Sequence, residues 1–289
     1  MAGQLTLVEL EIDDLPGLCV LPREVPFDLT LKRIPMVNKK NEFACFTYHV
    51  IGENGNQYTV SEEQFRGQLA MMRAEGYVIE GFQQLEGRLR SGKDMPGRYA
   101  IVTMDDAHVS SMRAADLLQE CGFRATFFLT RDPCLGKSGF LGSPEICELR
   151  KMGFSLGTHG TTHRKLTLLS RESCLAELEE SKHWLEDVLG EQVNYMAAPA
   201  GFINSRVLQL AQECGYVLTG TCNEWMNSQQ DMSLPSKVNR VNIRRHFSLH
   251  DFRQIIEGDL GFYIRRRVRA AALAIPKLLI ARFSEAERF

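Results

Sequence analysis

Seven short apolar runs punctuate the chain: FACFTYH at 43–49, RYAIVTM at 98–104, RATFFLT at 124–130, FSLGTH at 154–159, NYMAAP at 194–199, YVLTGTC at 216–222 and RVNIRR at 240–245. Runs this short, rich in β-branched and aromatic residues, predict buried strands. Between them apolar residues recur every three or four positions, as helices require. Phe65, Leu69 and Met72 share one face, and Leu175, Leu178, Trp184, Leu185 and Val188 another. Four joints repeat one design, AEGY at 74–77, ECGF at 120–123, KMGF at 151–154 and ECGY at 213–216. In each, glycine closes a helix in the left-handed conformation and an aromatic opens the next strand. Helix starts agree: Ser61 with Gln64 as a capping box, Ser143 as an N-cap before Pro144, Ser170 ahead of a helix stopped by Gly190, Asn204, and Ser248 with Asp251.

Repeated βα units predict an α/β fold with a mainly parallel sheet. Seven strands fit an irregular (β/α) barrel or an open doubly wound sheet, and either puts the chemistry at the C-terminal strand ends. Residues 1–42, with Pro16, Pro22, Pro26 and Pro35, read as a leading strand and wrapping segment; 43–258 form the barrel; 259–289 form a basic terminal helix.

Composition narrows the function classes. Of 289 residues 44% are hydrophobic, and 34 basic residues against 36 acidic ones give a net charge of −2, which argues against nucleic acid as a partner. The N-terminus carries Glu9, Glu11, Asp13 and Asp14 where a secretory signal needs basic and then apolar residues, and no run of 18 apolar residues exists. The eight cysteines show no Cys-x-x-Cys spacing. Together these predict a cytoplasmic protein with reduced thiols and no cysteine-bound zinc.

The strand ends carry the candidate chemistry. The first run ends at His49, the second at Asp105-Asp106, the fourth at His159 with His163 four residues on, and the fifth at Pro199. Two imidazoles at that spacing plus a carboxylate make a two-histidine, one-carboxylate set suited to a divalent metal with an open position. Asp106 is the natural third ligand, which leaves Asp105 to take a proton from the attacking water. Each motif alone has a plainer reading, as polar loop residues or as a helix cap. Their arrival together at parallel strand ends favours a site.

At these residues the chain resembles the polysaccharide deacetylase (NodB-like) family of carbohydrate esterases, over roughly 43–258. The family's Thr-Phe-Asp-Asp-Gly element looks like Thr103–Ala107, and its His-Ser/Thr-x-x-His element like His159–His163 with Gly160 in the Ser/Thr place. Its Arg-x-Pro-x-Gly element looks like Ala197–Gly201, and the runs ATFFLT and LTLLS are also typical. The resemblance implies an irregular barrel of about seven strands. It makes Asp106, His159 and His163 the metal ligands, Asp105 the general base, and Ala107 and Pro199 part of the substrate site. It implies zinc as the metal, with cobalt, manganese, iron or nickel as substitutes, and removal of N-acetyl groups from an acetamido sugar of a polysaccharide or glycan precursor.

Three departures stand out. Ala107 replaces a glycine. Ala197 replaces the arginine that orients the base, so Asp105 has to be held by something else. The late histidine that acts as general acid has no clean counterpart, leaving His250, His108 and His49 as candidates. The motif layout is most similar to the bacterial branch of exopolysaccharide and surface-glycan biosynthesis. The basic tail could meet the inner membrane face there, or pack on the barrel as a terminal helix. The alternatives to a deacetylase are a glycan-binding homologue without turnover and a hydrolase of another small acyl or C–N bond.

Overall fold

The alternation within the apolar runs becomes an inside and an outside. The structure, a computed structural model, describes residues 41–53 and 55–268, all within the larger of the chain's two units, Leu31–Phe289. In chain order the strands are β1 (Glu42–Tyr48), β2 (Val50–Ile51), β3 (Thr59–Val60), β4 (Val78–Glu80), β5 (Tyr99–Met104), β6 (Thr126–Leu129), β7 (Ser155–Thr158), β8 (Tyr195–Ala197), β9 (Leu218–Thr221), β10 (Asn227–Ser228), β11 (Ser236–Asn239) and β12 (Val241–Asn242). The helices are α1 (Glu62–Ala74), α2 (Phe82–Ser91), α3 (Ser110–Glu120), α4 (Arg131–Cys134), α5 (Ser143–Lys151), α6 (Arg171–Leu189), α7 (Ser205–Glu213) and α8 (Leu249–Ile256). A further helix covers 260–268 within the described residues.

Parallel pairing runs β1-β5-β6-β7-β8-β9-β11. The last strand then breaks at Arg240, and its second part, β12, pairs with β1 through Phe46↔Val241 and Thr47↔Asn242. That return makes the sheet a nearly closed barrel of seven staves, as predicted. Two irregularities mark it: β4 lies beside the first half of β5, leaving the second half to β6, and β10 adds antiparallel to the start of β1.

Strand side chains alternate between the two faces. Phe43, Cys45, Tyr99, Ile101, Phe128, Tyr195, Ala197, Leu218 and Val238 meet in one cluster, the barrel interior. Their neighbours Ala44, Phe46, Tyr48, Ala100, Val102, Met104 and Phe127 pack under the helices. Full burial of a phenylalanine such as Phe128 contributes about 2–3 kcal/mol. Continued along β5, the inward parity of Tyr99 and Ile101 passes through Thr103 to Asp105.

The four predicted glycine joints are all left-handed: Gly76, Gly122, Gly153 and Gly215 have φ between 72° and 88°. Ser170, Asn204 and Ser248 cap their helices as expected. Four local expectations need correction. The seventh strand is 236–242, not 240–245, because its ladder begins against β9. Gly142, not Ser143, caps α5, since the Glu145 carboxylate accepts from the Gly142 N–H. Ser61 caps α1, but Gln64 does not close the box: its amide donates to the carbonyls of Phe247 and Arg244 (2.8 and 3.3 Å), a tertiary bond that displaces the local one. The buried face of α6 is Cys174, Glu177, Leu178, Ser181 and Leu185, with Trp184 and Val188 only partly buried.

Candidate active site

Parallel strands deliver their C-terminal residues to one mouth. Asp105 follows β5 and donates its N–H to the Tyr48 carbonyl at the end of β1; His159 follows β7 and donates to the Leu129 carbonyl at the end of β6. One metal-competent set emerges among the described residues: Asp106, His159 and His163 offer ligand atoms that all lie within 4.8 Å of one another. Asp106 Oδ1 is 3.2 Å from His163 Nε2 and 3.5 Å from His159 Nε2. That oxygen is buried yet has no well-formed hydrogen bond. An orphaned carboxylate oxygen between two imidazole nitrogens is what a cation site requires, so the residues fit a divalent metal.

The candidate ligands are oriented from behind. His159 Nδ1 donates to the Ala197 carbonyl at 2.9 Å, which fixes the tautomer and leaves the Nε2 lone pair for the metal position. Burial lowers the His159 pKa despite the neighbouring carboxylates, a direction that favours the neutral ring a metal ligand needs. His163 is instead raised by Asp106 beside it. The loop between the two histidines rests on Glu177 of α6. One carboxylate oxygen accepts from the N–H groups of Thr161 and Thr162 at 2.8 and 2.9 Å, and the other accepts from the Thr162 hydroxyl. From the other side the Arg131 and Asp132 N–H groups donate to the carbonyls of Gly160 and Thr161.

Asp105 has a different fate from its neighbour. Its side chain is 2% exposed and forms a bidentate pair with Arg240, Nη1 to Oδ1 at 2.7 Å and Nη2 to Oδ2 at 2.9 Å. Burial pushes the Asp105 pKa up, but the Arg240 guanidinium, helped by His159 and His49, brings it below the ordinary carboxylate value. The holder that the loss of arginine at Ala197 called for therefore comes from the closing strand.

The three acid candidates separate. His49 sits at the end of β1, close enough to Asp105 and Asp106 to help lower both carboxylate pKa values, packs on Tyr58 with ring centroids 5.1 Å apart, and has a buried Nδ1 without a partner. His108 turns away: its Nδ1 pairs with the Ser110 hydroxyl and its ring packs on Phe140. His250 is exposed on α8 beside Asp251. Pro199 is buried against Gly160. Ala107 is 2% exposed, with its methyl group in the helix-side core.

Backbone strain gathers here. Of the five non-glycine residues with positive φ among those described, Asp106 (74°), Ala107 (60°), His163 (62°) and Ala200 (56°) belong to the mouth. Each costs about 1–2 kcal/mol, and such strain concentrates at functional sites. The left-handed backbone at 107 explains why glycine is usual there. Sequence reasoning missed Arg240 and Glu177. The available signals were the inward parity of Arg240 on its strand and a carboxylate on the buried stripe of α6.

The comparisons with known proteins agree with this geometry. The family model for polysaccharide deacetylases matches residues 92–219. YxkH of Bacillus subtilis (strain 168), named as a polysaccharide deacetylase, is 23% identical over 220 residues, covering 76% of this chain and 77% of the relative. Among solved structures, the Streptococcus pyogenes deacetylase PplD in complex with acetate superposes with a TM-score of 0.68 at 24% identity, covering 74% of this chain and 98% of that one. A de-N-acetylase from Aggregatibacter actinomycetemcomitans gives 0.66 at 13% identity, covering 74% of this chain and all of that one (100%). At such identities the structures establish the shared barrel. The segment that carries Asp105, Asp106, His159 and His163 is thus similar to the polysaccharide deacetylase family, on the barrel that the solved deacetylases share.

Proposed function

We propose that the protein is a metal-dependent N-deacetylase acting on an acetamido sugar of a polysaccharide or glycan precursor. The observation that carries this reading is the division of labour between two adjacent carboxylates. Asp106 points an orphaned oxygen at two imidazoles, while Asp105 is held ionised by Arg240 within reach of the same space. Asp106, His159 and His163 would hold a divalent metal, zinc by the donor set, which would supply Lewis acidity for the amide carbonyl and for a water.

The chain's own residues then move the protons. Asp105 takes one from the attacking water as its oxygen bonds to the carbonyl carbon. His49 gives one to the sugar nitrogen as the C–N bond breaks, releasing acetate and a free amine. Two structural neighbours support the substrate class, since one is a de-N-acetylase and another was solved with acetate, the product expected here. A sugar-binding homologue without turnover is the alternative that the missing arginine at Ala197 and the missing late histidine favour; Arg240 beside Asp105 and His49 at the end of β1 support turnover instead.

We assign the activity to surface-glycan assembly from the motif layout, and to the cytoplasm, with peripheral membrane contact through the basic segment 259–289. Most of that segment, 269–289, lies outside the described residues, as do 1–40. Among the described residues no helix is long and apolar enough to cross a membrane. The test is acetate release from N-acetylglucosamine oligomers with zinc or cobalt present, beside Asp105→Asn. Absence of release, or release that Asp105→Asn leaves intact, refutes the proposal.

A further inference from the structure

We propose that Arg244 is a specificity-determining residue at the mouth, and that it receives an anionic group, carboxylate or phosphate, which the substrate carries beside its acetamido sugar. The inference rests on the deacetylase reading above and narrows its substrate class. An acetamido sugar is neutral, and so are its simple polymers. For such a substrate a cationic edge at the mouth supplies nothing.

The edge is built where the barrel closes. Ile243 donates its N–H to the Thr47 carbonyl and Arg245 to the Gln57 carbonyl, both at 2.9 Å, while the Arg244 carbonyl accepts from the Gln64 amide at 3.3 Å. These bonds hold Arg244 level with the end of β1, where His49 stands. Its guanidinium lies over the Tyr58 ring, 5.8 Å from the centroid, and the same ring packs on His49 at 5.1 Å. Arg244 is therefore one aromatic ring away from the histidine beside the two carboxylates.

The guanidinium is under-used. Nε is buried without a partner, and Nη2 stands 3.6 Å from Glu224 Oε1, too far for a good hydrogen bond. The reason is a competitor. Arg266 donates through both Nε and Nη2 to the other oxygen of Glu224, Nε at 2.7 Å. One carboxylate thus faces two guanidiniums and neutralises only one. The neighbours add positive charge: Arg245 donates to the Glu53 carbonyl at 2.6 Å and Arg267 to the Asn223 side-chain oxygen at 3.0 Å, both neutral acceptors. This concentration stands against a net charge of −2 for the whole chain. A purely structural role, tying the closing strand to the loop after β9, would have Glu224 saturate Arg244 as it saturates Arg266. Instead 28% of the Arg244 side chain stays open to solvent. A planar, weakly hydrated fork of donors in that state suits a carboxylate or a phosphate.

The test uses the full chain loaded with cobalt(II). The anionic probes are an oligomer alternating N-acetylglucosamine with glucuronate, and N-acetylglucosamine 1-phosphate, each beside a neutral N-acetylglucosamine compound of the same length. KM and kcat come from acetate release and Kd from calorimetry. The parent is expected to favour an anionic probe over its neutral counterpart by about tenfold in KM and Kd, the two arms telling which source of charge is used. Arg244→Gln is expected to raise KM and Kd of that probe about 10- to 30-fold and those of the neutral compound within about twofold, with kcat unchanged, and Arg244→Lys recovers part of the loss. Arg150→Gln, at the other end of the barrel, leaves both alone. A parent without the preference overturns the proposal. So does a folded Arg244→Gln protein that binds the anionic probe as the parent does, or loses both probes alike. If Arg244→Gln does not fold, Glu224→Gln decides: freeing the guanidiniums is expected to tighten the anionic probe, and unchanged or weaker binding overturns the proposal. If the parent releases no acetate from any probe, the deacetylase reading fails, and the Kd series alone decides the role of Arg244.

Discussion

Replacing Glu177 by alanine removes the floor under the loop that carries both histidine ligands. The carboxylate accepts from two backbone N–H groups, at 2.8 and 2.9 Å, and from the Thr162 hydroxyl, all in the stretch between His159 and His163. Hydrogen bonds to a charged acceptor contribute about 1.5–3 kcal/mol each, but water can enter the partly open side of this loop, so a total of about 2–3 kcal/mol is the working figure. The loop also holds His163 and Gly160 at positive φ (62° and 75°), conformations it has little reason to keep unsupported. If that ordering has to be supplied when the metal binds, affinity falls by about 30- to 150-fold, since 1.4 kcal/mol is tenfold. Glu177→Gln keeps an amide oxygen for the two N–H groups and an NH2 for the Thr162 hydroxyl. It loses only the charge assistance, about 1–1.5 kcal/mol, or about tenfold. Cobalt titration of the parent, Glu177→Gln, Glu177→Ala and the exposed control Glu179→Gln on the same helix measures the series. A folded Glu177→Ala protein that binds cobalt within about threefold of the parent refutes the reasoning.

Further outcomes follow from other residues. Ala107 is left-handed at φ 60°, so Ala107→Gly is expected to raise stability in urea unfolding by at most about 1 kcal/mol, strain relief being partly offset by chain entropy, while Ala107→Val lowers it by more than that. His49→Gln is expected to reduce kcat about 100-fold with metal binding intact, whereas His250→Gln on exposed α8 stays within about twofold, by initial rates of acetate release. Metal affinity is expected to weaken as pH falls. The His163 pKa is raised by Asp106, so its proton competes with the metal already above the ordinary imidazole value, while buried His159 stays neutral to lower pH. Cobalt titrations from about pH 8 to 5.5 check the sign: the affinity loss starts at or above the usual histidine range of about 6.5 and is blunted in Asp106→Asn.

Local chemistry was legible in the sequence wherever its cause was local. Left-handed glycines ending helices, hydroxyl and amide N-caps, and short apolar runs each act over three to six residues, and the order of elements that they predict is the observed one. The site's inventory at the strand ends followed from parallel topology, because a βα repeat sends every strand end to one face. Errors arose where a tertiary partner outbid a local one. Gln64 left its capping box for the carbonyls of Phe247 and Arg244. The last strand began earlier than its apolar run because β9 offered Ser236 onward a ladder.

By itself, then, the sequence determined which residues of the chain can ligate, accept or donate, and on which side of a strand each stands, since alternation and turn chemistry are properties of adjacent residues. Only the tertiary structure decided which side chain holds Asp105. Asp105 and Arg240 are 135 residues apart, and nothing in either segment refers to the other. They meet because the barrel closes through a strand that changes partners at residue 240, carrying a guanidinium past Gly220 and across the interior to β5. Glu177 reaches the loop between His159 and His163 from the helix that follows it, by the packing of α6 and not by a pattern of adjacent residues.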